Sequence, residues 1–319
     1  MAPPSVPGHG TADRSDGPVL GVLGDLVEDV VVWQLAPLAV GSDTPSRIVR
    51  TRGGSAANLA AHAAALVTTR FLGCVGADET GPALVASLRA DGVDVRVTTG
   101  SRTGVIVILV DAAGERTMFP DRGANTEMAA VPPDWLAGLT CLHVTAYSLT
   151  DDPTASTAEA ALRQARADGA LTSLDASSVS VLERLGPDAF RAWVEGVDPD
   201  IVFANAEEAA LLGWDVDAPA PRLVVIKHGS DPLRLRTTAG SSTWSVPPLT
   251  GVVDTTGAGD AFAAGFLAGV LRACWPLGPD TAAAIRATPP RDEALAAWCR
   301  LGHEQAAVVV RSPGAGRRL

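Results

Sequence analysis

GVVDTTGAGDAF, residues 251–262, is followed directly by the apolar run AAGFLAGVLRA, residues 263–273. Apolar residues in that run recur at helical spacing, and two glycines precede it, so the sequence predicts a helix that begins near Asp260. The N-terminus of a helix offers unpaired N–H groups and the positive end of the helix dipole. The stretch therefore suits both an acidic helix cap and a bound phosphate group.

Strand-like and helical segments alternate regularly in the part of the chain that precedes this stretch. The predicted strands are TCLHVTAYS (140–148), ALTSLDAS (170–177), DIVFAN (200–205) and RLVVIKHG (222–229). Helical patterns lie between them, which is typical of an α/β fold with a parallel sheet and helices on both faces. In such folds, ligands bind at the carboxyl ends of the strands.

Two extended segments, about 29–52 and 97–122, do not follow this alternation. Residues 103–119 have the pattern of a hairpin that turns at residues 112–114. We expect the two segments to form a small separate sheet that acts as a lid. Residues 1–16 are predicted to be a disordered tail, which leaves 17–319 as a single domain.

Composition excludes several classes of protein. The net charge is -11 and no basic stripe is visible, which argues against a nucleic-acid surface. No apolar run approaches the ~18 residues of a membrane helix, and the first residues lack the features of a signal peptide. We expect a cytoplasmic protein that binds a small molecule.

The lysine and cysteine residues are also informative. Lys227 is the only lysine, and no G-x-x-x-x-G-K-[ST] motif is present, so a P-loop lysine cannot hold a phosphate group here. The four cysteines are widely separated and have no metal-ligand spacing, which favours buried, reduced thiols.

Two motifs about 200 residues apart resemble the signatures of one enzyme family. DTTGAGDAFAAGF (254–266) and RGGSAANLAAHAAAL (52–66) are similar to the two signatures of the PfkB, or ribokinase-like, carbohydrate kinases. The resemblance covers about residues 17–314. It implies a three-layer α/β sandwich with a mostly parallel central sheet and a small β lid. It also implies ATP-dependent phosphorylation of a primary hydroxyl group of a small sugar or nucleoside.

The resemblance gives the opening stretch a catalytic role. It implies that Asp260 is the base that removes the proton from the substrate hydroxyl group. The backbone N–H groups of Gly257, Ala258 and Gly259 would form the anion hole for the transferred phosphoryl group. Phosphoryl transfer depends mainly on positioning and charge stabilisation, which preorganised amides can supply.

The resemblance also places six residues at the substrate: Asp29, Gly53, Gly54, Asn58, Tyr147 and Arg116. Asp29 stands five residues after Gly24, at the family's spacing for a carboxylate that binds substrate hydroxyl groups. Asp25 is a second candidate for this role. A glycine pair also fits an ordinary turn before a helix, Asn58 could be a helix cap, and the hairpin residues could be structural.

The remaining assignments concern the nucleotide and metal ions. The resemblance implies that the nucleotide contacts Asn205, Lys227, Gly229, Thr256, Gly257 and Gly259. It places Glu208 near Mg²⁺, with water between them, and Asp254 in a loop that can bind K⁺. Mg²⁺ usually keeps several of its waters, so one carboxylate is sufficient. NAEE (205–208) is also compatible with a solvated acidic pair at a helix start.

Several functions stay open at the level of sequence. A carboxylate at Asp29 favours a neutral substrate, so a sugar or nucleoside is preferred over 2-keto-3-deoxygluconate. A dinucleotide-binding oxidoreductase is disfavoured because GAGDAF has Phe262 where a third glycine belongs. A catalytically silent sugar or nucleotide sensor is the third class. The family resemblance also allows a homodimer that is formed through the lid.

Overall fold

The computed structural model describes residues 17–216, 221–275 and 281–311. The predicted disordered tail, residues 1–16, lies outside the described residues. The strands of the structure are β1 (Val19–Leu23), β2 (Val27–Gln34), β3 (Ser46–Gly53), β4 (Thr68–Gly76), β5 (Asp94–Gly100), β6 (Val105–Val110), β7 (Arg116–Asp121), β8 (Cys141–Thr145), β9 (Leu171–Asp175), β10 (Ile201–Asn205), β11 (Leu223–His228), β12 (Asp231–Thr237) and β13 (Gly240–Trp244).

The helices connect these strands and cover the larger of two sheets. They are α1 (Ser55–Ala64), α2 (Thr80–Ala90), α3 (Pro133–Leu136), α4 (Thr154–Ala167), α5 (Val179–Leu185), α6 (Pro187–Val197), α7 (Ala206–Leu211), α8 (Ala258–Cys274), α9 (Thr281–Ala287) and α10 (Asp292–Val309).

The larger sheet has nine strands in the order β13-β12-β11-β10-β9-β8-β1-β4-β5. The strands from β11 to β5 run parallel to one another. At the other edge, β12 and β13 continue the sheet in antiparallel orientation. The predicted α/β fold with a mostly parallel sheet is therefore confirmed.

Side chains of the central strands point alternately to two apolar layers. On β10, Ile201 and Phe203 pack in one cluster with residues of α1, α8 and α10. Val202 and Ala204 pack on the opposite face with residues of α5, α6 and α7. Successive strand residues point to opposite faces, so both faces of this sheet are buried under helices. The sheet and its two helical layers make the three layers that were predicted.

The smaller sheet has four strands in the order β3-β2-β6-β7. Strands β6 and β7 are antiparallel, which confirms the predicted hairpin. The second extended segment starts later than predicted, because residues 97–100 pair with β4 as part of β5. Strand alternation and the β2–β6 and β6–β7 registers place Asp29 and Arg116 on the same face of this sheet.

Two exclusions made from the sequence can be compared with the structure. All four cysteines are buried, as predicted: Cys74, Cys141, Cys274 and Cys299. Within the described ranges, every helix is too short or too polar to cross a membrane.

Candidate active site

The carboxyl ends of the parallel strands bring several predicted residues together. In the strand registers, Asp175 at the end of β9 is opposite Thr145 of β8 and Phe203 of β10. Asn205 at the end of β10 is opposite Lys227 of β11. Tyr147 follows β8 at this edge. Helix α8, which carries the glycine-rich loop at its N-terminus, packs on the same sheet.

Asp260 lies in the first turn of α8, which begins at Ala258, two residues earlier than predicted. The Ser55 hydroxyl group donates a hydrogen bond of 2.6 Å to Asp260 Oδ1, and the Asn58 side chain bonds to the same carboxyl group. Burial raises the pKa of Asp260 to about 7, and Asp175 adds to this increase. Such a pKa suits a general base, because the group can accept a proton near neutral pH.

The glycine loop turns the chain into α8 beside the single lysine. Gly257 is the N-cap residue and has a φ of 76°, a left-handed conformation that favours glycine. A Cβ atom on Gly259 would lie 3.3 Å from Lys227 Nζ. Lys227 Nζ is also 3.0 Å from Asp175 Oδ2. A positive charge therefore stands next to the N–H groups predicted to form the anion hole.

Several carboxyl groups around Lys227 affect its pKa. Burial disfavours the charged ammonium group, yet Asp175, Glu208 and Asp260 outweigh it and raise the pKa. Lys227 therefore stays protonated, and more than one carboxyl group shares this cation. Asp175 lies in the predicted strand 170–177 but was not assigned to the site from the sequence, and its place there required the structure.

Asp29 lies on β2 with its carboxyl group directly against Gly53. A Cβ atom at position 53 would overlap this carboxyl group. Among the described residues, Asp29 Oδ1 is buried and has no hydrogen-bond partner. Burial raises the pKa of Asp29 to about 7, although the Arg116 guanidinium group acts in the opposite direction. An unsatisfied buried acceptor of this kind fits a substrate hydroxyl group.

The segment from Gly53 to Asn58 connects the carboxyl groups of Asp29 and Asp260, because Gly53 lies against Asp29 and the Asn58 side chain lies near Asp260. Asn58 Oδ1 is a second buried acceptor without a partner in the described part of the chain. The N-cap of α1 is Gly54, with a φ of 100°, so Asn58 is not the cap of this helix. This segment therefore joins two buried acceptors that could receive hydrogen bonds from a ligand.

Asn205 and Glu208 form a capping box at the start of α7. The backbone N–H of Asn205 donates to Glu208 Oε2 at 2.8 Å, and Asn205 Nδ2 donates to Oε1 at 2.7 Å. Burial raises the pKa of Glu208 to about 7, with a further contribution from Asp175. The structure thus gives this motif a structural role and also places its carboxyl group beside the acidic site.

The hydrogen bonds that hold Arg122 in place were not predicted. Arg122 forms two hydrogen bonds to Asp25, of 2.8 and 2.6 Å, and one of 2.6 Å to Thr150 Oγ1. Tyr147 lies close enough to interact electrostatically with both Arg122 and Asp260. Asp25 was a candidate substrate ligand in the sequence, but 97 residues separate it from Arg122 and no local pattern pairs them.

The remaining predicted residues lie around the glycine loop or at the sheet edge. Arg116 pairs with Asp254, whose Oδ1 accepts the N–H of Thr256 at 2.9 Å. Gly229 lies in the turn between β11 and β12 with a φ of 64°. Lys227, which the sequence also assigned to the nucleotide, lies two residues before Gly229 on β11.

Comparisons with known proteins show the family of this chain. The profile of a family described as pfkB family carbohydrate kinase matches residues 21–319. An ATP-dependent ribose-1-phosphate kinase of Halopiger xanaduensis is 36% identical over 230 residues, which cover 68% of this chain and 72% of that protein. A fructokinase of Klebsiella pneumoniae is 30% identical over 268 residues, or 78% of this chain and 83% of the relative.

Solved structures show the same fold. An adenosine kinase from Sinorhizobium meliloti has a TM-score of 0.76 and 25% identity, and the match covers 95% of this chain and 96% of that one. A fructokinase from Xylella fastidiosa with bound ATP has a TM-score of 0.77 at 22% identity, with 93% of each chain covered.

The family match identifies a phosphotransferase that acts on an alcohol group. The chain belongs to the pfkB family of carbohydrate kinases, as the two sequence signatures indicated. It is a sugar or nucleoside kinase, and the oxidoreductase interpretation is wrong.

The raised pKa values predict how activity varies with pH. If Asp260 is the base, it must be ionised to accept a proton, so kcat/KM at saturating ATP should fall as pH decreases below about 7. If Asp29 must be ionised as well, the slope of log kcat/KM against pH should steepen from about one toward two because its pKa is also about 7. An Asp29→Asn variant should return to the shallower slope. A flat wild-type profile through pH 7 would contradict the assignment of Asp260.

Proposed function

We propose that this protein transfers the γ-phosphoryl group of ATP to a primary hydroxyl group of a neutral sugar or nucleoside. The observation that carries the proposal is the position of Asp260. Its carboxyl group lies at the glycine-rich N-terminus of α8, close to Lys227 on one side and to Ser55 on the other. A base, an anion-binding helix end and a cation are thus available at one place.

In the proposed reaction, Asp260 accepts the hydroxyl proton as the substrate oxygen forms a bond to the γ-phosphorus atom. The bond from the γ-phosphorus to the bridging oxygen breaks, and ADP leaves with the electron pair. The N–H groups of Gly257, Ala258 and Gly259 stabilise the equatorial oxygens, and Lys227 offsets negative charge on the phosphates. Asp29 and Asn58 orient the substrate through its other hydroxyl groups. We place Tyr147 and Arg116 on the substrate side of Asp260, since Tyr147 interacts electrostatically with Asp260 and Arg116 with Asp29.

We propose that Mg²⁺ accompanies ATP, with Glu208 binding it through water. The acidic groups around Lys227 favour a divalent cation, since the pKa of Glu208 is raised by its burial and by Asp175. In the described residues, no cluster of three or more acidic, His or Cys side chains could hold a metal ion directly. We therefore propose that phosphate oxygens and water supply most of the ligands of the Mg²⁺ ion. When bound, Mg²⁺ would neutralise charge on the transferring phosphates.

ADP release, measured at fixed ATP and Mg²⁺, tests this function. The panel of acceptors is ribose, fructose, adenosine, pseudouridine, 2-keto-3-deoxygluconate and ribose 1-phosphate. We expect one neutral acceptor to have the highest kcat/KM. If the protein binds a sugar but no acceptor raises ADP release above the rate of ATP hydrolysis by water, the protein would instead be a sensor.

An anionic sugar is the second candidate, because two guanidinium groups meet near Tyr147. Arg122 and Arg184 both pair with Asp151, at 3.4 and 2.5 Å. A phosphate or carboxylate on the substrate could replace Asp151 as their partner. The ribose-1-phosphate kinase relative gives this candidate further support. Arg184→Gln would then reduce kcat/KM for ribose 1-phosphate but leave neutral acceptors unaffected.

We propose that the four-stranded sheet has two roles, one on each face. Its inner face carries Asp29 and would close over the substrate as a lid, which excludes water. Its outer face carries Ile48 and Phe119, which are 61% and 54% exposed. Exposed apolar side chains on a sheet face are suited to pairing with a second copy of the chain.

Sedimentation equilibrium tests the proposed dimer. The wild-type protein should sediment as a dimer, and an Ile48→Glu, Phe119→Glu variant as a monomer, because the charges would be buried in the interface. Val308→Glu is the matched control, since Val308 is 65% exposed on α10, outside the sheet. A monomeric wild-type protein would refute the dimer.

A further inference from the structure

An arginine of the small sheet reaches the loop that leads into α8. Arg116, the first residue of β7, forms an ion pair with Asp254 although 138 residues separate them. The Arg116 side chain is 20% exposed and the Asp254 side chain only 6%. A carboxylate this well shielded from water requires a positive partner, and removal of that partner is costly.

Asp254 shapes the turn ahead of the proposed anion hole. Its Oδ1 accepts the Thr256 N–H, and the Ala258 N–H donates to the carbonyl of Thr255 at 3.1 Å. Gly257 then adopts its left-handed conformation and α8 begins. The charged partner of Asp254 therefore helps to hold the backbone whose N–H groups would meet the phosphoryl group.

The family resemblance places Asp254 and Thr256 in a loop that can bind K⁺. The residues present do not fit that ion. One carboxylate oxygen accepts the Thr256 N–H and the other pairs with the Arg116 guanidinium group. A cation at the same carboxylate would have to displace the guanidinium group or lie against a like charge. The resemblance matches RSPGAG (311–316) loosely to the rest of that loop, and residues 312–316 lie outside the described residues.

We propose that Arg116 takes the place of a monovalent cation at Asp254, so that phosphoryl transfer by this protein does not require K⁺. Arg116 acts through Asp254 and is therefore a positioning residue for the anion hole. The inference rests on the proposed kinase function. It also explains why a strand of the small sheet contributes a cation to a loop beside the large sheet.

The test measures kcat in K⁺ and in tetramethylammonium at equal ionic strength. The pH is kept well above 7, because the pKa of Asp29 is about 7 and this carboxyl group must stay ionised in every variant. Wild-type kcat should be the same in both salts. Arg116→Gln should lose about 10- to 100-fold in kcat without K⁺, as expected for a lost charge-assisted hydrogen bond. K⁺ should restore most of the lost kcat, because it can then approach the Asp254 carboxylate oxygen that Arg116 contacts in the wild-type protein. Arg116→Lys, which keeps the charge, should remain independent of K⁺.

Arg50→Gln is the matched control. Arg50 also pairs with an acidic residue of the small sheet, Glu28, but its side chain is 65% exposed and it does not pair with Asp254. This variant should keep wild-type kcat in both salts. Stimulation of the wild-type enzyme by K⁺ would overturn the proposal, and so would an Arg116→Gln variant that K⁺ does not rescue.

Thermal unfolding provides a readout that does not depend on catalysis. K⁺ should raise the unfolding midpoint of Arg116→Gln relative to tetramethylammonium, and it should not change the wild-type midpoint. If no acceptor were phosphorylated, the proposed function would fail, but this measurement would still decide whether Arg116 excludes a cation. If K⁺ changes the unfolding midpoint of the wild-type protein, the inference is wrong.

Discussion

Replacement of Asp260 by Asn is expected to lower kcat by at least ~10²-fold while ATP binding stays nearly unchanged, because the amide cannot accept the substrate proton. The carboxyl group is placed for this role in the first turn of α8, where Ser55 fixes one of its oxygens at 2.6 Å. Steady-state kinetics with the best acceptor, together with an ATP titration of each protein, measures both quantities.

The same substitution should not harm the fold. Burial raises the pKa of Asp260 from 3.8 to about 7. Stability from this group is therefore fully present below about pH 4 and is lost as pH rises through about 7. The amide that replaces the carboxylate carries no charge, so the ligand-free Asp260→Asn variant should unfold at the same or a higher temperature than the wild-type protein at pH 8. Near-normal turnover of a folded Asp260→Asn variant would remove Asp260 from the role of base.

Gly53→Ala is expected to raise the KM for the acceptor about 10- to 100-fold, which corresponds to loss of one or two hydrogen bonds to a charged group. The added Cβ atom would overlap the Asp29 carboxyl group and displace it from its place beside the substrate. ATP affinity should change little, because the nucleotide is assigned to the opposite side of Asp260. Acceptor KM and ATP KM, measured separately, show whether the loss is confined to the acceptor.

Two further variants make this prediction specific. Gly196→Ala is the matched control, because the nearest atom to its added Cβ would be Arg163 Nη2 at 4.0 Å. It should leave both KM values unchanged. Asp29→Asn should raise acceptor KM by itself, and Gly53→Ala should add little to it, since both changes remove the same interaction. Additive losses would show that Gly53 acts independently of Asp29.

Much of the fold follows from local patterns in the sequence. The alternation of strands and helices from residue 140 to 229 predicts the parallel sheet, because each segment shows its own periodicity. The pattern over 103–119 predicts the β6–β7 hairpin. Helix α9, Thr281–Ala287, was not predicted, because prolines stand on both sides of it in the sequence. The start of α8 was placed two residues late, because the left-handed φ of Gly257 cannot be read from composition.

The sequence by itself determined the family and the chemical groups of the candidate site, since the signatures around Gly53 and Asp260 are contiguous motifs. Only the tertiary structure decided which of these groups face one another. It placed Asp29 against Gly53, Arg122 against Asp25, and Arg116 against Asp254. The physical reason is that the charge state and partner of a buried side chain depend on segments that are distant in the chain. Residues 116 and 254 meet only because the small sheet packs beside the loop before α8, and no local pattern records that approach.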